Sequence, residues 1–252
     1  MTDRAMNLVM ECGKEMLANG GEVFRAQDTM EIMARSLRIE DFHVYVLTNG
    51  IFASAKGGTV NAVRHVPSVS IQLARVEAIN SLSRRLADGK LDLDGAEQEL
   101  RRAQQIEGFS VRRVHLASLL GSACFALLFG GGPAEMLVAA IAGLVESVVT
   151  RRFAQHGISR IFTDILAATL CTLAAHLAHR VYAPLNVNVT IIGALMVLTP
   201  GVSLTMGIRD IINGDYLSGT IRLFDALLVA GCLAFGVAMG YLLMQALMGV
   251  IL

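Results

Sequence analysis

The chemistry this chain could do begins with one interrupted apolar stretch. Asn186 to Arg209 reads NVNVTIIGALMVLTPGVSLTMGIR, with no charge before Arg209. It has the length of a membrane helix, yet Thr199-Pro200-Gly201 breaks it, with Ser203 and Thr205 just beyond. A proline inside a helix removes a backbone donor and crowds the preceding turn. Hydrocarbon cannot satisfy the carbonyls released. Two readings are open: an ordinary proline kink, or a break that lines a polar cavity, as in many transporters. On the second, Thr199, Pro200, Gly201, Ser203 and Thr205, with Thr169 and Thr172 from a neighbouring segment, line a path for a small polar solute. Arg209 closes the segment with its one charge.

Five acids near apolar segments are candidates for ion coupling or gating: Glu146, Asp164, Asp210, Asp215 and Asp225. Asp164 follows Arg160 by one turn and Asp225 follows Arg222 by three residues, so helical ion pairs are available to both. Glu146 stands apart, roughly 7 Å inside Arg151 at the rise of a helix. An acid at that depth faces protein or water, not lipid, as a proton or cation handle or as the partner of an arginine across a helix interface. His176 and His179 read as helix-end residues, with titration in a proton cycle the sharper alternative.

A second constellation lies near the N-terminus, where Gly20-Gly21-Glu22, Arg25 and Asp28 precede Thr48-Asn49-Gly50. No nucleophile, base and orienter occur at recognisable spacing, and the glycines do not form a phosphate-binding fingerprint. A turn followed by a solvated helix face explains them equally well. Asp92, Asp94 and Gly95 do not complete a calcium loop. Cys12, Cys124, Cys171 and Cys232 are isolated, without metal-site spacing, and read as small packing residues. These patterns predict no catalytic residue, cofactor or metal. No Walker A sequence is present to let the chain power transport by ATP.

The elements that hold these residues follow from composition and periodicity. Of 252 residues 54% are hydrophobic and only 17% charged, below the usual quarter for soluble domains. Net charge is zero, which argues against nucleic acid as a partner. Charge concentrates in residues 1–113, where Ala5, Leu8, Val9, Cys12, Met16 and Leu17 mark an amphipathic helix ended by Asn19-Gly20-Gly21. A second helix over 22–37 gives way to alternating strands over 42–47, 51–55 and 59–66, the first pair joined by an Asn-Gly hairpin. Helices over 71–86 and 94–106 follow, the last with Asp94 as N-cap and Glu97 completing a capping box. The fold class expected is α+β: a small α/β domain of residues 1–113, then a transmembrane domain of residues 114–252.

Val114 to Ala134 carries no charged residue over 21 positions, enough to span the hydrocarbon core. Spans are expected at 114–132, 134–150, 161–178, 187–208 and 223–247: a five-helix bundle whose fourth helix is broken by Pro200. Arg112, Arg113, Arg151, Arg152, Arg160, Arg209 and Arg222 fall on the side of residues 1–113, against Arg180 opposite. The positive-inside rule therefore predicts a cytoplasmic N-terminus and, with five spans, a C-terminus outside. Residues 1–30 hold no apolar run of signal-peptide type. Transporters commonly pair two repeats, and no second broken-helix signature is present, so a missing half is expected from another subunit or a second protomer.

Asn19-Gly20-Gly21-Glu22 with Arg25, Asp28 and Thr29, then Thr48-Asn49-Gly50-Ile51, form one block; Pro200-Gly201, Arg209-Asp210 and Gly214-Asp215-Tyr216-Leu217-Ser218-Gly219 form another. In these blocks the chain resembles the threonine/serine exporter family, and within it the larger subunit of two-component exporters of succinate and other dicarboxylates. The family pattern more often has alanine at Gly21. The resemblance covers most of the chain. It implies an inner-membrane, multi-pass export component that works with a shorter, all-membrane subunit encoded nearby, or as a homo-oligomer, on small carboxylates: succinate and related dicarboxylates, or threonine and serine. The alternatives are a membrane-anchored enzyme, or a sensor or assembly subunit, with its activity in the N-terminal domain.

Overall fold

A computed structural model describes residues 2–66 and 71–251, with side chains over 3–66 and 71–247. The chain divides into two compact units: Met1–Gly108 with Leu204–Leu223, and Phe109–Ser203 with Phe224–Leu252.

The first unit opens with α1 (Thr2–Ala18) and α2 (Val23–Ser36). Gly20, at φ 87°, ends α1 in a left-handed cap: Gly21 N–H donates to Met16 O at 2.8 Å and Gly20 N–H to Leu17 O at 3.1 Å. Strands β1 (His43–Leu47), β2 (Gly50–Ala55) and β3 (Val60–His65) make an antiparallel sheet in that order. The expected hairpin forms, but Leu47 pairs with Gly50, so the loop is Thr48-Asn49 and Gly50 opens β2 instead of supplying a left-handed turn residue. Helices α3 (Leu73–Ala87) and α4 (Leu93–Gln104) follow. Asp92, not the expected Asp94, caps α4 by accepting Gly95 N–H at 2.8 Å; Asp94 instead pairs with Arg4. One core collects Val9, Met10 and Met16 of α1, Met30 and Met33 of α2, Ile51 of β2, and Ile79 and Leu82 of α3, all buried.

The remaining helices are α5 (Val111–Leu128), α6 (Pro133–Gln155), α7 (Arg160–Val181), α8 (Val187–Leu195), α9 (Gly201–Ile212) and α10 (Tyr216–Ile251). Among the described residues, only α5, α6, α7 and α10 are long and apolar enough to cross a membrane. The expected five-helix bundle is therefore corrected to four long apolar helices. The segment read as a proline-broken fourth span is two short helices, of nine and twelve residues. At 1.5 Å per residue they reach about 14 and 18 Å, against a hydrocarbon core of about 30 Å. Pro200 acts four residues upstream: it cannot donate to the Met196 carbonyl and its ring crowds that position, so α8 stops at Leu195. The C-terminus outside, which counted five crossings, loses that basis.

Small residues pack the helices of the second unit. Ala126, Ala139, Ala142, Ala168, Cys171, Ala175 and Ala194 are buried together. A Cβ at Gly193 would lie 2.7 Å from Ala126 Cα, so α8 meets α5 at backbone distance. This is the packing of membrane helices, where small residues and not apolar burial bring backbones together. Leu120, Leu127, Leu137, Ile141, Leu227 and Leu242 point outward, as lipid contact requires.

Candidate functional site

Glu146 is the deepest unpaired acid of the helical unit. The period of α6 turns it inward with Ala139, Ala142 and Gly143, and it is 3% exposed. Ser118 of α5 donates to Gly143 O at 2.8 Å and lies 3.4 Å from Glu146 Oε2. Among the described residues Glu146 makes no ion pair, so no arginine crosses the interface to it. It borders a cavity of about 530 Å³ whose lining includes Arg113, Ser118, Ser147, Thr150, Arg151 and Val197. The Ser147 hydroxyl bonds His115 Nδ1 at 2.7 Å. The cavity thus joins a buried carboxylate to exposed guanidiniums, with hydroxyls between them.

The break borders a second cavity, of about 410 Å³, between α8 and α10, where Thr199 and Pro200 meet Leu233, Val237 and Tyr241. Its walls are apolar apart from Thr199 and the Asn188–Tyr241 hydrogen bond of 2.9 Å. The carbonyls of the break are already engaged. Leu195 O accepts Leu198 N–H at 2.9 Å and the Thr199 hydroxyl at 3.3 Å, and Thr199 O accepts Gly201 N–H at 2.8 Å. Gly201, Ser203 and Thr205 lie on the first turns of α9. Thr169 and Thr172 do not join Thr199 in that cavity's lining. They are buried, with hydroxyls returned to Ile165 O and Ala168 O, each at 2.8 Å. Thr169 also donates to Gly236 O at 3.0 Å, tying α7 to α10.

Charges separated widely in sequence converge in the first unit. Glu22, at the N-cap of α2, accepts from Arg209 of α9 and lies 3.3 Å from Arg25 Nε. Arg222 of α10 sets Nε 3.0 Å from Asp210 Oδ2 and donates through Nη2 to Gly21 O at 3.3 Å. Asp210 is fully buried, and neither of its carboxylate oxygens has a hydrogen-bond partner; Arg222 approaches without alignment. Burial pushes the Asp210 carboxyl above its ordinary value while Arg222 opposes that shift. Gly207 and Gly219 make the site possible, since a Cβ on Gly219 would lie 2.7 Å from Gly207 O. Gly21 is equally tight: a Cβ there would stand 2.7 Å from Met16 O, so the alanine of the family pattern needs this turn to open.

The other sequence candidates are dispersed. Asp164 pairs with Arg160 at 3.5 Å, and Asp225 lies 3.9 Å from Arg160, not beside Arg222. Asp215 N–H caps Asp210 O at 2.9 Å. Asp28 is exposed on α2, and Asn49-Gly50 stays at its hairpin. His176 and His179 bond the carbonyls of Thr172 and Leu185. Two features escaped sequence reasoning. Arg222 was paired with the wrong acid, and Glu135 was passed over although Gly-Pro-x-Glu at a helix start is a capping pattern.

The ThrE family model, described as "Putative threonine/serine exporter", matches residues 7–244. The chain belongs to this family. It is 23% identical over 254 residues to the "Threonine/serine exporter" of Corynebacterium glutamicum, covering 96% of this chain and 52% of that protein. It is 24% identical over 241 residues to the "Probable threonine/serine exporter" of Mycobacterium tuberculosis, covering 94% of this chain and 45% of that one. It is also 21% identical over 244 residues to "Pheromone-regulated membrane protein 10" of Kluyveromyces lactis, covering 92% of this chain and 25% of that protein. This ThrE chain therefore spans about half the length of the two bacterial relatives. No solved structure matches it. The ThrE protein is a multi-pass membrane protein with four candidate spans.

Proposed function

We propose that this ThrE protein is a transport subunit rather than an enzyme, exporting small carboxylates across a bacterial inner membrane, with the Glu146 cavity as their binding site. The observation that carries the reading is one buried carboxylate, in no ion pair among the described residues, beside two exposed arginines around one cavity. An α-amino acid has matching ends: its ammonium suits Glu146, its carboxylate suits Arg113 or Arg151, and the hydroxyl of serine or threonine suits Ser118, Ser147 or Thr150. Succinate or a related dicarboxylate is the second reading, favoured by the presence of two arginines; it requires Glu146 to be protonated. Glu146 is then also the ion-coupling residue, since Asp164, Asp210 and Asp225 each lie within ion-pair distance of an arginine and Asp215 is not part of the cavity lining.

The 196–200 turn borders both cavities, through Val197 on one side and Thr199 and Pro200 on the other, which suits it to move in alternating access. A shorter all-membrane subunit encoded nearby, or a second copy, is the proposed partner, supplying the second repeat that transporters commonly pair. The arginines at 112, 113, 151, 152 and 160 support a cytoplasmic N-terminus. A C-terminus on the opposite side requires an odd number of crossings, which the four long helices alone do not supply.

The test is efflux from cells loaded in turn with labelled threonine, serine and succinate, with this chain and its short membrane neighbour expressed singly and together. Efflux that needs both proteins and falls at least tenfold in Glu146→Gln, at unchanged membrane levels, is the expected result. No efflux of any solute, with both proteins in the membrane, rejects the reading.

A further inference from the structure

The Glu22 side chain is 14% exposed, whereas those of Arg209 and Arg25 on either side of it are 58% and 60% exposed. A dissolved anion therefore reaches both guanidiniums but finds a carboxylate already in place. Beside them Arg222 faces Asp210. Arg209, Arg25 and Arg222 face Glu22, Asp210 and the nearby Asp215, so the charges balance, and the two guanidiniums beside Glu22 are open to water. Charged contacts hold part of this corner of the chain: Arg222 donates to the Gly21 carbonyl, Arg209 donates to Glu22, and the Asp210 carboxylate has no hydrogen bond. Charge pairs at an accessible surface exchange partners at small cost, because the competing anion replaces what is lost.

We propose that Glu22 is a built-in competitor for small carboxylates at Arg209. A solute carboxylate displaces it, binds Arg209 and Arg25, and frees the α9–α10 corner (204–223) from the α1–α2 turn. Residues 1–108 would thereby sense the solute and release the helices that continue from that corner. The identity of the natural solute rests on the transport reading above; the exchange of carboxylates does not.

Hydrogen exchange on the full-length protein in nanodiscs tests this, with succinate, serine and the neutral analogue succinamide as probes. Succinate or serine should speed exchange of the 204–215 amides several-fold, and succinamide should not. Glu22→Gln should exchange fast without any probe, and Arg209→Gln should not respond to one. Equal exchange in the wild-type protein with and without carboxylates overturns the proposal, and so does a Glu22→Gln protein as protected as wild type. The wild-type titration decides alone if a variant misfolds. A carboxylate response in exchange without any efflux would reject the export reading and leave this one standing.

Discussion

The carboxylate of Glu135 accepts the backbone N–H of Asn186 at 2.7 Å and that of Gly132 at 2.8 Å. Both donors belong to N-cap residues, so one side chain closes the starts of α6 and α8. Glu135→Ala leaves two backbone donors without this partner, at a cost of about 1–3 kcal/mol for each that stays buried. A lowered Tm in detergent, with Glu135→Gln intermediate, is the expected result.

Gly219 and Gly231 lie on the same helix and should respond with opposite sign. A Cβ at Gly219 meets Ile211 and the Gly207 carbonyl, whereas at Gly231 nothing lies within 4 Å. Gly219→Ala forces α9 away from α10 and should cost about 1–3 kcal/mol. Gly231→Ala gains helix propensity, up to about 1 kcal/mol. Unfolding followed separately for the two variants checks both.

Cys12 is fully buried in the first unit, and burial, assisted by Glu15 and Glu11, pushes its thiol well above the ordinary range. The thiolate is the reactive species. Maleimide at neutral pH should leave Cys12 unmodified in the folded protein and label it only after denaturation, as peptide mass spectrometry would show.

Glu11 sets an acid limit on the N-terminal unit. Burial alone would raise its carboxyl, but hydrogen bonds from Arg64 and Lys14 outweigh it and hold the group below the ordinary range. A depressed folded pKa gives stability that is present above the unfolded value, about 4.3, and is lost as pH falls through the folded value. Glu11→Gln should flatten this acid limb, measured as urea unfolding from pH 6 downward to about pH 3.

What was legible in the sequence was local. The change of period at Phe42 located the three strands, and Glu146 stood out because one acid in an apolar run has few ways to be stabilised. The count of spans failed because 187–208 reads as one apolar run, while Pro200 removes helical structure back to Met196. Thr169 and Thr172 looked like free hydroxyls, yet a threonine within a helix can turn its hydroxyl to its own carbonyl four residues back. The convergence of Glu22 with Arg209, 187 residues apart, has no local signature. Both blocks that carried the family resemblance meet there, which recurrence in sequence cannot reveal by itself.

The first unit is assembled from two pieces of chain, with the whole of 109–203 between them. During synthesis, α5, α6 and α7 are made before Arg209 and Arg222 exist to complete the N-terminal region. Residues 1–108 must therefore wait, with Glu22 and the Gly21 carbonyl uncovered, until residue 223 is made. A fragment ending at residue 108 keeps the apolar core of the unit but lacks the partners of Glu22 and the Gly21 carbonyl, and a premature stop before Arg209 would leave both uncovered.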